Sequence, residues 1–380
     1  MSRKDFFNVK RIVIKLGTNI LRTDEGEVAL SRIYSFIEAI SKLVKNGKEV
    51  VIITSGAVGL GKKKLGLDST DGEGVKQACA AVGQSRLMSF YENGFAFHDI
   101  PIAQILLTED DFSIRHRYLS IGTTLNKLLE LNVVPIINQN DTVSTIEIQD
   151  MLAGMKASFS DNDKLSALVS SELDADLLIL LSDVDGLYTA NPHTDKDAEF
   201  IKEVKSFTDD ILSMGTDASD GGRGGMRSKL EAAKFVTRFG GKVLIANGKT
   251  PFIIDKIFNY ENVGTMFYPS DENLSGKKRW IGYATNVIGK LIVNNGAKDA
   301  ILKNYTSLLP IGVVNVINKF DRGDVVSICD ENKIEFARGM VNYNSDECRK
   351  IIGAHSEEVE KILGYKNDDE IITRDNITSL

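Results

Sequence analysis

Histidine and cysteine are both scarce in this chain of 380 residues, and their scarcity removes whole classes of chemistry. The three cysteines, Cys79, Cys329 and Cys348, are odd in number, widely spaced and without neighbouring histidines. They read as buried thiols of a reducing compartment, not as a disulfide frame or a zinc site. The four histidines, His98, His116, His193 and His355, share no metal-ligand spacing. None lies near a strand end, so a serine nucleophile would find no base. No apolar run approaches the roughly 18 residues that a membrane helix needs. Residues 1–5 are charged with no apolar signal core behind them, which makes the cytoplasm the expected location and a membrane partner unexpected. Positive charge is short as well: 46 Lys and Arg against 53 Asp and Glu leave a net −7, so no broadly basic face for nucleic acid is expected. Internal repeats and low-complexity tracts are also lacking.

What is present is an alternation of short apolar runs with longer amphipathic segments. Runs at 12–14, 50–53, 102–107, 133–137, 177–181 and 242–246 read as buried strands. Between them, 31–46, 75–90, 119–131, 164–173 and 226–234 carry helical spacing. Strand–helix–strand at these separations implies an α/β fold: an open, mainly parallel sheet sandwiched by helices. The polar stretch 271–279 reads as a linker, and short strands at 289–293, 312–317, 324–328 and 333–337 predict a small β-rich domain. The expected division is 1–270, a linker 271–284, and 285–380.

In a parallel sheet the residues just after each strand share one edge. Here they are Lys15, Gly17 and Thr18; Thr54, Ser55 and Gly56; 138–141; Ser182 and Asp183; and Asn247 and Gly248. A glycine-rich stretch, 217–225, opens onto a helix whose first turn carries Lys229. Glycine admits phosphate close to backbone N–H groups, and the helix end adds positive potential. Asp161, Asn162 and Asp163 start another helix. One of the three suffices as a cap, leaving the others to hold an ammonium, a Mg²⁺ or a lysine. Two lysines, a glycine loop and carboxylates at one edge are what phosphoryl transfer requires. Lys62, Lys63 and Lys64 read as a solvated helical face, and Trp280 as an anchor for the linker.

The motifs in order are 13–19 (Val-Ile-Lys-Leu-Gly-Thr-Asn), 53–57, 81–86 (Ala-Val-Gly-Gln-Ser-Arg), 104–108, 138–141, 161–163, 186–189 and 224–229. Together they resemble the glutamate 5-kinase family of the amino acid kinase superfamily, over roughly residues 9 to 268, with 81–86 particularly distinctive. Residues from about 289 to 364 resemble a PUA domain. The resemblance implies ATP-dependent phosphorylation of the L-glutamate γ-carboxylate to γ-glutamyl 5-phosphate, the first step of proline biosynthesis, by direct in-line transfer. It implies Lys15, Lys229 and Asp163 as catalytic residues, the two lysines neutralising the moving phosphoryl group and Asp163 holding them. Ser55, Gly56, Asp141 and Asn162 would bind glutamate. ATP would lie on Lys15, Gly17, Thr18, Ser182, Asp183, Arg223, Gly224, Gly225, Met226, Arg227, Ser228 and Lys229, with Mg²⁺ held by its phosphates and no protein ligand assigned. A homo-oligomer (dimer or tetramer), feedback inhibition by proline and docking of glutamate 5-phosphate reductase also belong to what the family implies.

Three departures stand out. Gln139 replaces the glutamate of many members, Arg223 replaces a common threonine, and 149–159 is longer than in compact members. That last segment flanks the expected glutamate site and bears on affinity and proline feedback. Two alternatives stay open: a kinase of another carboxylate or a carbamate, and an RNA-binding or regulatory role through the C-terminal part. From residue 289 onward, 12 Lys and Arg face 15 Asp and Glu, which weighs against RNA.

Overall fold

The computed structural model describes residues 3–70, 72–143, 161–192, 194–215, 225–270, 275–284 and 287–380. The chain divides into two compact units, Met1–Asp111 with His116–Asn273, and Phe112–Arg115 with Leu274–Leu380.

The first unit carries an eight-stranded sheet. Its strands begin with β1 (Arg11–Leu16), β2 (Glu49–Ile53), β3 (Ile102–Leu107), β4 (Val134–Gln139) and β5 (Leu177–Ser182). A two-stranded ribbon of β6 (Leu187–Tyr188) and β7 (Phe200–Ile201) follows. Then come β8 (Glu203–Val204), β9 (Lys242–Asn247) and β10 (Thr265–Phe267). The sheet order is β3-β4-β2-β1-β5-β9-β10-β8, parallel throughout except where β10 runs against β9. β1 pairs with β2 on one side and β5 on the other, so strand order reverses there. The expected open, mainly parallel sheet is borne out.

Both faces are buried, which is why these strands read as unbroken apolar runs. Ile12, Ile14, Val50, Ile52, Leu177 and Ile179 face one core. It is shared with helices α1 (Leu30–Lys45) and α3 (Glu73–Ala96). The alternate residues Val13, Val51, Leu178 and Leu180 are equally buried. On that side α5 (Asp161–Glu172) packs on β1 and β5, and α6 (Met226–Thr237) packs on α5 and β9. A further helix, α2 (Ala57–Leu65), lies against α3, and α4 (Arg115–Glu130) leads into β4. Glycines allow the α2–α3 approach: a Cβ at Gly61 would sit 1.8 Å from the Cys79 carbonyl oxygen, and one at Gly83 would sit 1.7 Å from that of Ala57.

The second unit has a five-stranded sheet, β12-β11-β13-β14-β15. Its strands are β11 (Gly289–Val293), β12 (Val313–Ile317), β13 (Val325–Cys329), β14 (Glu335–Met340) and β15 (Ile377–Ser379). Its own core includes Leu291, Val326, Ile328 and Tyr343. The fifth strand had no periodic signal; it exists because three residues pair with β14. Part of the stretch read as a linker is helical: Ser275 caps Gly276–Arg279, and Trp280–Ala284 continues it. Within this unit Trp280 is buried, and its Nε1–H donates to the Phe112 carbonyl at 3.0 Å. Among the described residues no helix is long and apolar enough to cross a membrane, and all three cysteines are free and buried.

Candidate active site

Where the strand order reverses, the C-terminal ends of β1, β2, β4 and β5 surround a cavity of about 410 Å³. Its floor follows from strand and helix geometry. Side chains alternate along β1, so Lys15 shares the face of Val13, beneath α5 and α6. Asp163 stands in the first turn of α5 and Lys229 in the first turn of α6. All three meet: Lys15 Nζ lies 2.6 Å from Asp163 Oδ1, and Lys229 Nζ lies 3.2 Å from Oδ2. The Ser228 hydroxyl donates to the same Oδ2 at 2.7 Å. Asp163 is 0% exposed and each lysine 5%.

Burial pushes the Asp163 carboxyl up, but attraction to Lys15 and Lys229 and hydrogen bonds from Lys15 and Ser228 prevail, leaving it at about 2. Burial draws the Lys15 ammonium below the ordinary lysine value; Asp163 opposes this and Lys229 adds to it. Lys15 and Lys229 share this one fully buried carboxylate, and Asp183 attracts both as well; a paired-lysine floor of this kind suits an anion.

Ser55 Oγ donates to the Leu16 carbonyl at 2.6 Å, which ties the end of β2 to β1. Gly56 begins α2 at φ 95°, a left-handed conformation that suits glycine. Asp183 accepts from Asn19 Nδ2 at 2.8 Å and from Ser182 Oγ at 3.1 Å. Burial raises its carboxyl, yet these bonds and the charge of Lys229 bring it below the usual carboxylate range.

Lys15, Gly17, Thr18, Ser55, Gly56, Asp141, Asn162, Ser182, Asp183 and Lys229 all line this one cavity. Asp163 supports its floor from beneath. Gly225 contributes a carbonyl that accepts from Ser228 Oγ at 3.0 Å. Gly225, Met226 and Arg227 do not line the cavity, and Arg227 instead pairs with Glu231 along α6. Arg223, Gly224 and the longer 149–159 segment lie outside the described residues.

Several cavity residues carried no readable signal. Lys62 lines the cavity, whereas Lys63 and Lys64 are exposed as a solvated face would be. α2 turns only the first of the three inward. Arg22 and Lys76 also line it; neither follows a strand, so the strand-end rule could not find them. Among the described residues there is no group of three or more His, Cys, Asp or Glu that could hold a metal. The two lysines of the floor suit a phosphate.

Sheet, reversal point and charged floor define the class: an open α/β protein with a lysine-floored crevice at the carboxyl edge of its strands. The model of the amino acid kinase family matches residues 10–247, and that of the PUA domain matches residues 289–363. A curated relative, glutamate 5-kinase of Thermoanaerobacter sp. (strain X514), is 43% identical over 372 residues, 97% of this chain and 98% of its own. Glutamate 5-kinase of Geobacter sulfurreducens is 44% identical over 374 residues, 98% of each chain. A solved isopentenyl phosphate kinase, 19% identical, covers 68% of this chain and 99% of its own with a TM-score of 0.47. The chain belongs to the amino acid kinase family and carries a C-terminal PUA domain, and the resemblance read from its motifs is borne out.

Proposed function

We propose that this chain is an ATP-dependent kinase that phosphorylates the γ-carboxylate of L-glutamate, giving γ-glutamyl 5-phosphate. Relatives named glutamate 5-kinase at more than 40% identity over nearly the whole chain support the acceptor. The observation that carries the reaction type is the buried Lys15–Asp163–Lys229 floor, two ammonium groups on one carboxylate.

The acceptor explains what the site lacks. A γ-carboxylate, with an ordinary pKa near about 4.3, is already ionised at neutral pH, so attack needs no general base. Asp163, held at about 2 between two cations, is no base either. Lys15 and Lys229 neutralise charge on the phosphoryl group as it passes, and Asp163 keeps both ammonium groups in position. ATP supplies the phosphoryl group, and Mg²⁺ carried on its phosphates supplies further charge neutralisation. Gly17, Thr18, Ser182, Asp183 and residues 223–229 hold the nucleotide; Ser55, Gly56, Asp141 and Asn162 hold glutamate.

The same reading places the kinase domain at 1–270, a linker at 271–284 and the PUA-like domain at 285–380, with a regulatory or assembly role for the latter. It takes the enzyme as a cytoplasmic homo-oligomer, with proline competing for the glutamate site. A reductase that docks to consume the unstable acyl phosphate belongs to it as well. The test is direct: purified protein with ATP, Mg²⁺, glutamate and hydroxylamine should yield γ-glutamyl hydroxamate. Turnover with another carboxylate or with carbamate, and none with glutamate, would refute the assignment.

A further inference from the structure

We infer that Gln84 is a positioning residue for the amino-acid end of the cavity, acting through Asn138 to set the orientation of the Asn162 amide. The inference rests on the glutamate reading above. It accounts for a residue of the 81–86 run that is absent from the cavity lining.

The orientation starts at the backbone. The Gln139 N–H donates to Asn138 Oδ1 at 2.9 Å. A peptide N–H can only donate, so that atom is the oxygen and the other terminal atom of Asn138 is its NH₂. The NH₂ donates to Gln84 Oε1 at 2.8 Å. On its other side Asn138 Oδ1 accepts from Asn162 Nδ2 at 3.3 Å, which leaves the Asn162 carbonyl oxygen as the end of the series. That oxygen is buried and has no hydrogen-bond partner among the described residues.

The three amides therefore point one way, Asn162 donating to Asn138 and Asn138 to Gln84, so the end that lines the substrate cavity is an acceptor. A buried acceptor without a donor is costly, and the donor an amino acid brings is its ammonium group. Gln84 and Asn138 are 7% and 2% exposed, so water cannot readily replace either partner. Gln84 is the only acceptor the Asn138 NH₂ has among the described hydrogen bonds. Without it the Asn138 NH₂ is left buried with no acceptor among the described hydrogen bonds, which loosens the amide that orients Asn162.

The test uses the full chain. Gln84→Met keeps volume and removes the acceptor. It should raise KM for glutamate about tenfold, the equivalent of one hydrogen bond, with kcat and KM for ATP within about twofold. Gln84→Glu restores an acceptor oxygen and should return KM to within about twofold of the parent, at a melting temperature measured alongside. Preference for glutamate over glutarate, which lacks the ammonium, should fall about tenfold in Gln84→Met. In an Asn162→Ala background Gln84→Met should cost nothing further. Additive losses, KM values for ATP and glutamate rising together, or failure of Gln84→Glu to rescue would each overturn the inference. Absence of glutamate turnover in the parent chain would instead refute the substrate reading, and this inference with it.

Discussion

Replacing Asp163 by Asn tests the floor of the site most severely. The substitution keeps side-chain shape and an oxygen for the Ser228 hydroxyl, but removes the carboxylate charge that lies 2.6 Å from Lys15 and 3.2 Å from Lys229. Removing one partner of a fully buried ion pair costs about 3–5 kcal/mol, because the remaining charge stays desolvated. In a unit of this size each kcal/mol moves the melting temperature by about 2–4 °C, so a fall of about 6–20 °C is expected at pH 7. The acid limb gives an independent check. Asp163 stands at about 2 when folded against an ordinary 3.8. A depressed carboxyl stabilises above its unfolded value and loses that stabilisation as pH falls toward its folded one, here about 2 kcal/mol. Denaturant unfolding across pH 2 to 6 should show this component in the parent chain and not in Asp163→Asn. With both ammonium groups unanchored, kcat should drop on the order of 10²-fold. A variant with parental melting temperature, acid limb and kcat would refute the reasoning.

Three further outcomes follow from the same geometry. Lys15→Ala and Lys229→Ala should lower kcat far more than they raise either KM, because their charge counts most in the transition state; steady-state kinetics showing near-parental kcat would remove that residue from the mechanism. Asp141→Ala should raise KM for glutamate with kcat largely kept, and an unchanged KM would move the substrate site. Because burial lowers the Lys15 pKa, activity should decline on the alkaline side below the ordinary lysine value of 10.5. A kcat–pH profile flat up to that value would contradict the burial argument. Stability runs the opposite way over that window: the folded state binds the Lys15 proton less tightly than the unfolded state, so this residue's contribution rises with pH.

Strands were legible because burial on both faces demands apolar runs, and β5, buried along its whole length, was the plainest. β15 was not, since three residues paired at an edge leave no period to read. α2 was legible only at Lys62, Lys63 and Lys64; its glycines give no helical period, and Gly61 serves the close approach to α3. The site was legible where it follows strand ends: Lys15, Ser55, Asp141 and Ser182 reached one cavity by topology alone. Arg22 comes from a connection, and Lys62 and Lys76 from the faces of α2 and α3, whose direction only packing decides. Gln84 belonged to a recognisable run, yet its bond to Asn138 spans 54 positions and has no local signature.

The central claim, that the floor passes a phosphoryl group directly to a carboxylate, has a direct isotopic test. Glutamate labelled with ¹⁸O in its γ-carboxylate is incubated with the enzyme, ATP, Mg²⁺ and hydroxylamine, and the released phosphate is examined by ³¹P NMR. Attack of hydroxylamine at the acyl carbon leaves the bridging oxygen on phosphorus, so each phosphate should carry one ¹⁸O from glutamate. Glutamate-dependent release of unlabelled phosphate would contradict the account.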